Sequence, residues 1–518
     1  MRHPYRTVLA RAAARLCAAL LAISCADAAP LSAELARNAL LSRAPLLDPA
    51  LFDRPERLRE VRLAPDGAHL AWVEEVDGKA ELSVMPLAGG PARPLAALEP
   101  KDRVHWSRDG TVLFVAQEGG VAAIGVRDGA GGRIAMFDKD GRQRFAGVDH
   151  AMPRHALIEE HDAAAHTSRL VRIGADGART LLYAGPGKLG APLSGPGGTP
   201  AILRRQETDF TQLILQRRGK EWIEATRCAP LRTCVPLALS PDGTRLFLRT
   251  LHAGDREALF EVTLASGARR VVHTDPEGLA DLAGVILSPR GGQPMLAAYQ
   301  LPNLRLVGLD ADGKRIAAGI ARRFPLGGVA VESCAPNACL LAERNARMAH
   351  ARYWILDLQR QSFRPVLDEV RAKGGMPPDT QLAQRIALRY PASDGFTVHG
   401  YLTLPPGLPA RSLPLVTIVH GGPWGHVTGG YSPSAQLLAN RGFAVFEPNF
   451  RGSTGYGERY TLAPGAAYGN GRVQADIIDG VRWLLAQGVG DPQRLGIAGG
   501  SFGGWVAIPK RNMAGVWV

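Results

Sequence analysis

The chain has 518 residues, 46% of them hydrophobic and 21% charged, with 60 Gly and 38 Pro. That length exceeds what one hydrophobic core holds, so two or more domains are expected, and the composition excludes both a disordered chain and one made of long helices. The formal net charge is +13, yet the Arg residues are scattered among turns, without the clustering that a nucleic-acid footprint requires.

The first 28 residues stand apart. Arg2, Arg6, Arg11 and Arg15 form a basic region, 16–24 is a short apolar run, and Ala26-Asp27-Ala28 offers an A-x-A cleavage site. That order is a secretory signal, and the apolar run is too short to span a bilayer. No later segment is long and apolar enough to cross a membrane, so a periplasmic or secreted location is expected, with 29–58 as a linking segment. Cys17 and Cys25 fall within the signal, leaving the close pairs Cys228/Cys234 and Cys334/Cys339. In an exported protein such pairs read as local disulfides. Zinc is the competing reading, weakened by the lack of neighbouring His ligands. Neither a metal nor a cofactor is called for.

Residues 59–370 repeat one phrase. A turn of the form S/A-P-D-G precedes a short alternating apolar strand, as in Ala64-Pro65-Asp66-Gly67 before 69–73 and Ser240-Pro241-Asp242-Gly243 before 245–248. Looser copies begin at Ser107 and Ser288. A second phrase of strand, small turn and basic-apolar strand lies between them, at 169–182, 259–272 and 304–320. Asp-Gly tolerates the positive φ of tight hairpins, and alternation buries one strand face. Eight Asp-Gly pairs fall between Asp66 and Gly313. Pairing the two phrases gives about seven units near the length of a propeller blade, each a four-stranded sheet. A β-sandwich array is the alternative. The phrase is weakest at 201–225.

At 371–518 the rhythm changes, after a junction at Lys373-Gly374-Gly375-Met376-Pro377-Pro378. Strands now alternate with helices, as an α/β sheet requires. An antiparallel entry pair is expected at 385–390 and 399–404, buried strands at 415–420 and 443–448, and a helix at 434–440. The run 476–487 places Ile477, Ile478, Val481, Leu484 and Leu485 on one helical face, with Gly488 at its end. A strand at 495–498 then runs into Gly499-Gly500-Ser501-Phe502-Gly503-Gly504.

G-x-S-x-G between a strand and a helix is a nucleophile elbow, whose glycines give room for a sharp turn that lifts the Ser501 hydroxyl above the sheet. His420-Gly421-Gly422-Pro423 follows an earlier buried strand, where a second oxyanion donor belongs. The two amides are assigned to Gly422 and Phe502, and His420 reads as a structural histidine under the loop. Together with 447–457 (EPNFRGSTGYG) and Asp491-Pro492-Gln493-Arg494-Leu495, these motifs resemble the prolyl oligopeptidase family of serine peptidases, in its acylaminoacyl-peptidase and dipeptidyl-aminopeptidase branch. The resemblance implies a β-propeller of about seven blades followed by an α/β-hydrolase domain, an oligopeptide substrate screened by the propeller, and a Ser–Asp–His triad in that chain order.

One element of that pattern is missing. Residues 502–518 contain no Asp, Glu or His, and Pro509 falls inside the helix that the elbow should launch. The expectation is an incomplete hydrolase domain, truncated or frame-shifted near Ile508 and nearly inactive. His399, His426, Asp476 and Asp479 do not stand where the family places triad partners. A non-catalytic binding propeller with a vestigial hydrolase domain is the alternative from another class, and a carboxylesterase is a third, although it predicts no propeller. Glu74/Glu75 and Glu159/Glu160 could face an amino terminus from the propeller, but exposed strand positions explain both pairs.

Overall fold

The computed structural model describes residues 30–138, 140–289, 291–368, 377–465, 468 and 471–507. The expected signal at 1–28, the junction as far as Met376, and Pro509 lie outside them.

Seven antiparallel sheets follow one another at 58–98, 103–136, 143–186, 188–228, 234–273, 282–308 and 329–368, and they form a seven-bladed propeller. Seven of the eight Asp-Gly glycines sit at positive φ, from 67° at Gly129 to 79° at Gly177. The turn carboxylates brace the loop from within, as where Asp66 accepts the Ala68 N–H at 2.8 Å. The weak stretch at 201–225 forms three regular strands of the fourth blade, Pro200–Gln206, Gln212–Arg218 and Glu221–Cys228.

Apolar faces of neighbouring blades bury one another. Val73 and Leu82 of the first blade meet Leu113 and Val115 of the second. Each blade uses consecutive strands, so no strand is shared across the point where the ring closes. Closure is by side chains: Leu58, Val61 and Trp72 of the first blade pack with Leu340, Tyr353 and Ile355 of the seventh. Full burial of each such side chain is worth about 1.5–3 kcal/mol.

The sixth blade departs from expectation. Residues 304–320 are not strand, turn and strand; after the strand Arg305–Gly308 the chain turns into a helix. Asp310 caps it by accepting the Gly313 N–H at 2.6 Å. Ile316 and Ile320, one turn apart, then pack on Met295 and Leu296. Capping and a helical apolar spacing overrode the Asp312-Gly313 turn signal, and a three-stranded sheet is completed by a helix. We number the helices α1 (Leu31–Ala39), α2 (Ala311–Arg323), α3 (Pro433–Asn440), α4 (Glu458–Leu462), α5 (Arg472–Ala486) and α6 (Phe502–Ala507).

The α/β domain is a five-stranded mixed sheet. Its strands are β1 (Arg385–Pro391), β2 (Thr397–Thr403), β3 (Leu415–Val419), β4 (Ala444–Asn449) and β5 (Leu495–Gly499), in spatial order β1-β2-β4-β3-β5. β1 and β2 enter antiparallel, while β3 pairs in parallel with both β4 and β5. Val481 and Leu484 of α5 share a core with Phe446 and Leu415, and Leu31 and Leu35 of α1 lie against it. Asn38 in α1 donates to the Pro405 carbonyl at 2.9 Å, so the segment before the propeller docks on the hydrolase sheet. Among the described residues no helix is long and apolar enough to cross a membrane.

Candidate active site

β5 ends at Gly499, and two residues later the backbone reverses at Ser501, whose φ is 54°. That left-handed conformation is rare for a side-chain-bearing residue and costs of order 1–3 kcal/mol. It leaves Ser501 exposed at the head of α6, where its carbonyl accepts the Trp505 N–H at 3.0 Å. Gly503 explains how so tight a turn fits. A Cβ there would stand 2.0 Å from the Val419 carbonyl oxygen at the end of β3, so only glycine lets α6 lie against the sheet.

The Gly421-Gly422 loop comes to the same place. A Cβ on Gly421 would be 3.6 Å from the Ser501 Cβ and 3.3 Å from the Gly500 oxygen. Gly422 follows directly, in the left-handed region at φ 131°. Phe502, half-buried, sets its ring 5.6 Å from that of Phe450. His420 lies beneath the loop: its ring stacks on Phe450 at 4.4 Å, Nε2 meets the Ser453 hydroxyl at 2.9 Å, and burial pushes its imidazole below the usual range. That is a scaffolding position.

The segment 449–457 holds this arrangement from behind. Asn449 is fully buried; its Oδ1 accepts the Val427 N–H at 2.7 Å, and its Nδ2 donates to the Val427 carbonyl and to the Tyr456 hydroxyl. The Arg451 guanidinium, also buried, donates to both carboxylate oxygens of Asp476 at 2.6–3.0 Å and to Asp394 at 2.8 and 2.9 Å. It lies 4.3 Å over the Phe396 ring. Those bonds hold the Asp394 carboxyl well below the usual carboxylate range. At Asp476, which has no exposure, burial pushes the carboxyl up against the same guanidinium.

The same segment docks the propeller. Asp255 of the fifth blade accepts the Glu458 and Arg459 N–H groups, and Asp281 accepts the Gly457 N–H at 3.2 Å while its own N–H donates to the Gly455 carbonyl at 2.8 Å. A Cβ on Gly457, at φ 95°, would stand 2.6 Å from Asp255 Oδ1. Gly455 and Gly457 therefore serve the domain contact. Between the domains lies a cavity of about 720 Å³, lined on the hydrolase side by Trp424 and His426, which follow the Gly421-Gly422 loop, and by Leu462.

The other sequence candidates fall elsewhere. His399 stacks on Tyr456 at 4.5 Å and His426 Nδ1 meets the Thr454 hydroxyl at 2.9 Å. Asp476 belongs to Arg451, and Asp479 accepts the Ser393 N–H. Glu74, Glu75, Glu159 and Glu160 pair with Arg57, Arg59, Arg144 and Arg179; Glu159 is fully buried, not an exposed strand position, because it also accepts the Leu189 N–H at 2.8 Å. Among the described residues no histidine or carboxylate hydrogen-bonds the Ser501 hydroxyl. Both cysteine pairs form disulfides, Cys228–Cys234 and Cys334–Cys339. Sequence reading missed Asp255, Asp281 and the Arg451 cluster.

Comparison with known proteins gives concordant results. The sequence model of the prolyl oligopeptidase family matches residues 430–512. Dipeptidyl aminopeptidase BIII of Pseudoxanthomonas mexicana is 30% identical over 536 residues, spanning 98% of this chain and 74% of that protein. The acylamino-acid-releasing enzyme of Mus musculus is 31% identical over 132 residues, 25% of this chain and 17% of that one. Among solved structures, a puromycin hydrolase superposes with a TM-score of 0.67 at 18% identity, covering 90% of this chain and 77% of that one. An acylaminoacyl peptidase of Pyrococcus horikoshii does so with 0.60 at 13% identity, covering 89% and 76%.

Proposed function

The chain belongs to the prolyl oligopeptidase family of peptidases, and from that premise we propose that it is built to hydrolyse short peptides with Ser501 as nucleophile and the amides of Gly422 and Phe502 as oxyanion donors. One observation carries the assignment: an exposed serine held at positive φ at the end of a parallel strand, directly against the Gly421-Gly422 loop. In this reading the Ser501 hydroxyl attacks a carbonyl carbon, and the carbonyl oxygen gains its negative charge beside the amides of Gly422 and Phe502. Each preorganised donor is worth about 3–4 kcal/mol in such sites.

The reaction also needs a base to take the serine proton and an acid to return it to the leaving amine. Residues 502–518 supply no Asp, Glu or His. We propose that the groups on residues 30–507 by themselves supply only the oxyanion and binding contributions, about 10³–10⁴-fold over water. A fluorophosphonate probe tests this: slow labelling confined to Ser501 is expected, and labelling at the rate of an intact serine peptidase overturns it.

The substrate class we propose is an oligopeptide with a free amino terminus, from which dipeptides are released. Its support is the similarity to a dipeptidyl aminopeptidase along 98% of the chain. Calorimetric titration with a tripeptide and its N-acetylated form tests it without needing turnover; equal affinity for the two contradicts it. We place the activity in the periplasm or outside the cell, on the basic-apolar leader and two disulfides. Cell fractionation that finds the protein in the cytosol would overturn that placement.

A further inference from the structure

The interdomain cavity has a wall that bond cleavage does not call for. Strand Glu221–Cys228 closes the fourth blade and strand Cys234–Leu239 opens the fifth. Of the five residues between them, the four from Pro230 to Thr233 line the cavity. The Cys228–Cys234 disulfide ties the two ends of the loop together. Gln212 Nε2 donates to the Arg232 carbonyl at 2.5 Å, and the Thr250 hydroxyl donates to the Thr233 carbonyl at 2.7 Å. The Thr233 hydroxyl bonds Glu257. Finally, Arg232 forms an ion pair with Glu458 of the hydrolase domain, which bridges the gap.

At the tip of this tethered loop stands Leu231, 80% exposed and at φ 58°. A leucine in the left-handed region and in water adds nothing to the stability of the unliganded protein. It lines the cavity together with Leu251, Leu462 and Trp424, and Leu462 is 54% exposed. Trp424 is itself 67% exposed and lies two residues after Gly422. Exposed apolar groups lining one cavity are in place to be covered together by one ligand side chain.

We propose that the disulfide-closed loop 228–234 is a specificity-determining wall of the peptide cavity, with Leu231 contacting a large apolar side chain of the substrate and the Arg232–Glu458 pair fixing the wall against the hydrolase domain. The proposal rests on the peptidase reading and adds to it which side chains the site selects. Covering one leucine is worth about ten- to a hundredfold in affinity.

The test uses the 518-residue chain, its Leu231→Ser variant and two tripeptides, Ala-Phe-Ala and Ala-Ala-Ala, with binding measured by calorimetry. Leu231 is exposed, so the variant should fold, and an unchanged circular dichroism spectrum and melting midpoint check this. The expected result is that the variant loses about tenfold or more for Ala-Phe-Ala while Ala-Ala-Ala is unaffected. A Cys228→Ser/Cys234→Ser variant, its loop released, should lose the preference for Phe in the same way. Equal binding of Ala-Phe-Ala by wild type and Leu231→Ser overturns the wall and leaves the peptidase reading standing. Failure of the wild type to bind either peptide overturns both.

Discussion

Replacing Arg451 with Met is the most informative single perturbation of the scaffold behind the serine. The Met side chain fills much of the same volume over Phe396 but withdraws the guanidinium that bridges Asp476 and Asp394. Asp394 is partly exposed and can turn to water, whereas Asp476 is fully buried. Breaking a buried pair by removing one partner costs about 3–5 kcal/mol, because it strands a desolvated charge. The strain falls on 449–457 and on α5, which the pair ties together. Local opening of those segments should become about a hundred- to several-thousandfold more frequent. Native-state hydrogen exchange read by mass spectrometry would show this as faster exchange at 449–457 and 472–486, with propeller peptides such as 69–86 unchanged. An Arg451→Met/Asp476→Asn double variant, which no longer buries a charge, should recover part of the loss. Exchange at 449–457 within about threefold of wild type would refute the reasoning.

Four further outcomes follow. Gly503→Ala drives a Cβ into the Val419 carbonyl oxygen, so thermal unfolding of the hydrolase domain should fall by several degrees, corresponding to about 1–3 kcal/mol of overpacking; an unchanged melting curve would contradict the close approach of α6 to β3. Gly457→Ala meets both a positive φ and Asp255, and hydrogen exchange at 455–462 and 253–258 should then speed up while strands such as 69–76 are unaffected; unchanged exchange there would contradict the close contact. The His399 imidazole is pushed down to about 4 by burial, so between about pH 6.5 and 4 the unfolded chain binds a proton that the folded one does not. Stability is fully present above that window and falls as pH drops through it, by about 3 kcal/mol for this residue; denaturant melts of a His399→Gln variant should show a shallower pH slope, and equal slopes would contradict the burial argument. Alkylation without reduction should leave Cys228, Cys234, Cys334 and Cys339 unmodified, and four free thiols would contradict the disulfides.

The propeller was legible because its information is local. An Asp-Gly turn and the alternating strands beside it are encoded within a dozen residues, and seven of the eight glycines adopt the φ the turn demands. The eighth, Gly313, misled because an equally local signal, the Asp310 cap with Ile316 and Ile320 behind it, competed with it and won. The regularity of 201–225 was hidden by its arginines and glutamines, which occupy edges of strands whose apolar side chains, Ile202, Leu203, Ile214 and Leu215, are all buried.

In the α/β domain the tight turn at Ser501 and the Gly421-Gly422 loop beside it were readable as motifs, since glycine at Gly503 answers a steric demand that recurs wherever a helix starts against a strand. What supports them was not readable. Arg451 finds its carboxylates 25 and 57 residues away, and Asp255 meets Arg459 across 204. Nothing in the spacing of those residues announces the contacts; they exist only once the propeller and sheet are assembled. Gly455 and Gly457 show the same limit: they look like loop flexibility in the sequence and turn out to be clearance for Leu301 and Asp255.

Boron NMR of the chain with a dipeptidyl boronic acid tests the central claim most directly, because a boron atom becomes tetrahedral only when a nucleophile bonds to it. The account predicts a tetrahedral signal with the wild-type chain that disappears with Ser501→Ala and weakens when Gly503→Ala displaces the elbow. A boron that stays trigonal, or a tetrahedral signal that survives loss of Ser501, would contradict it.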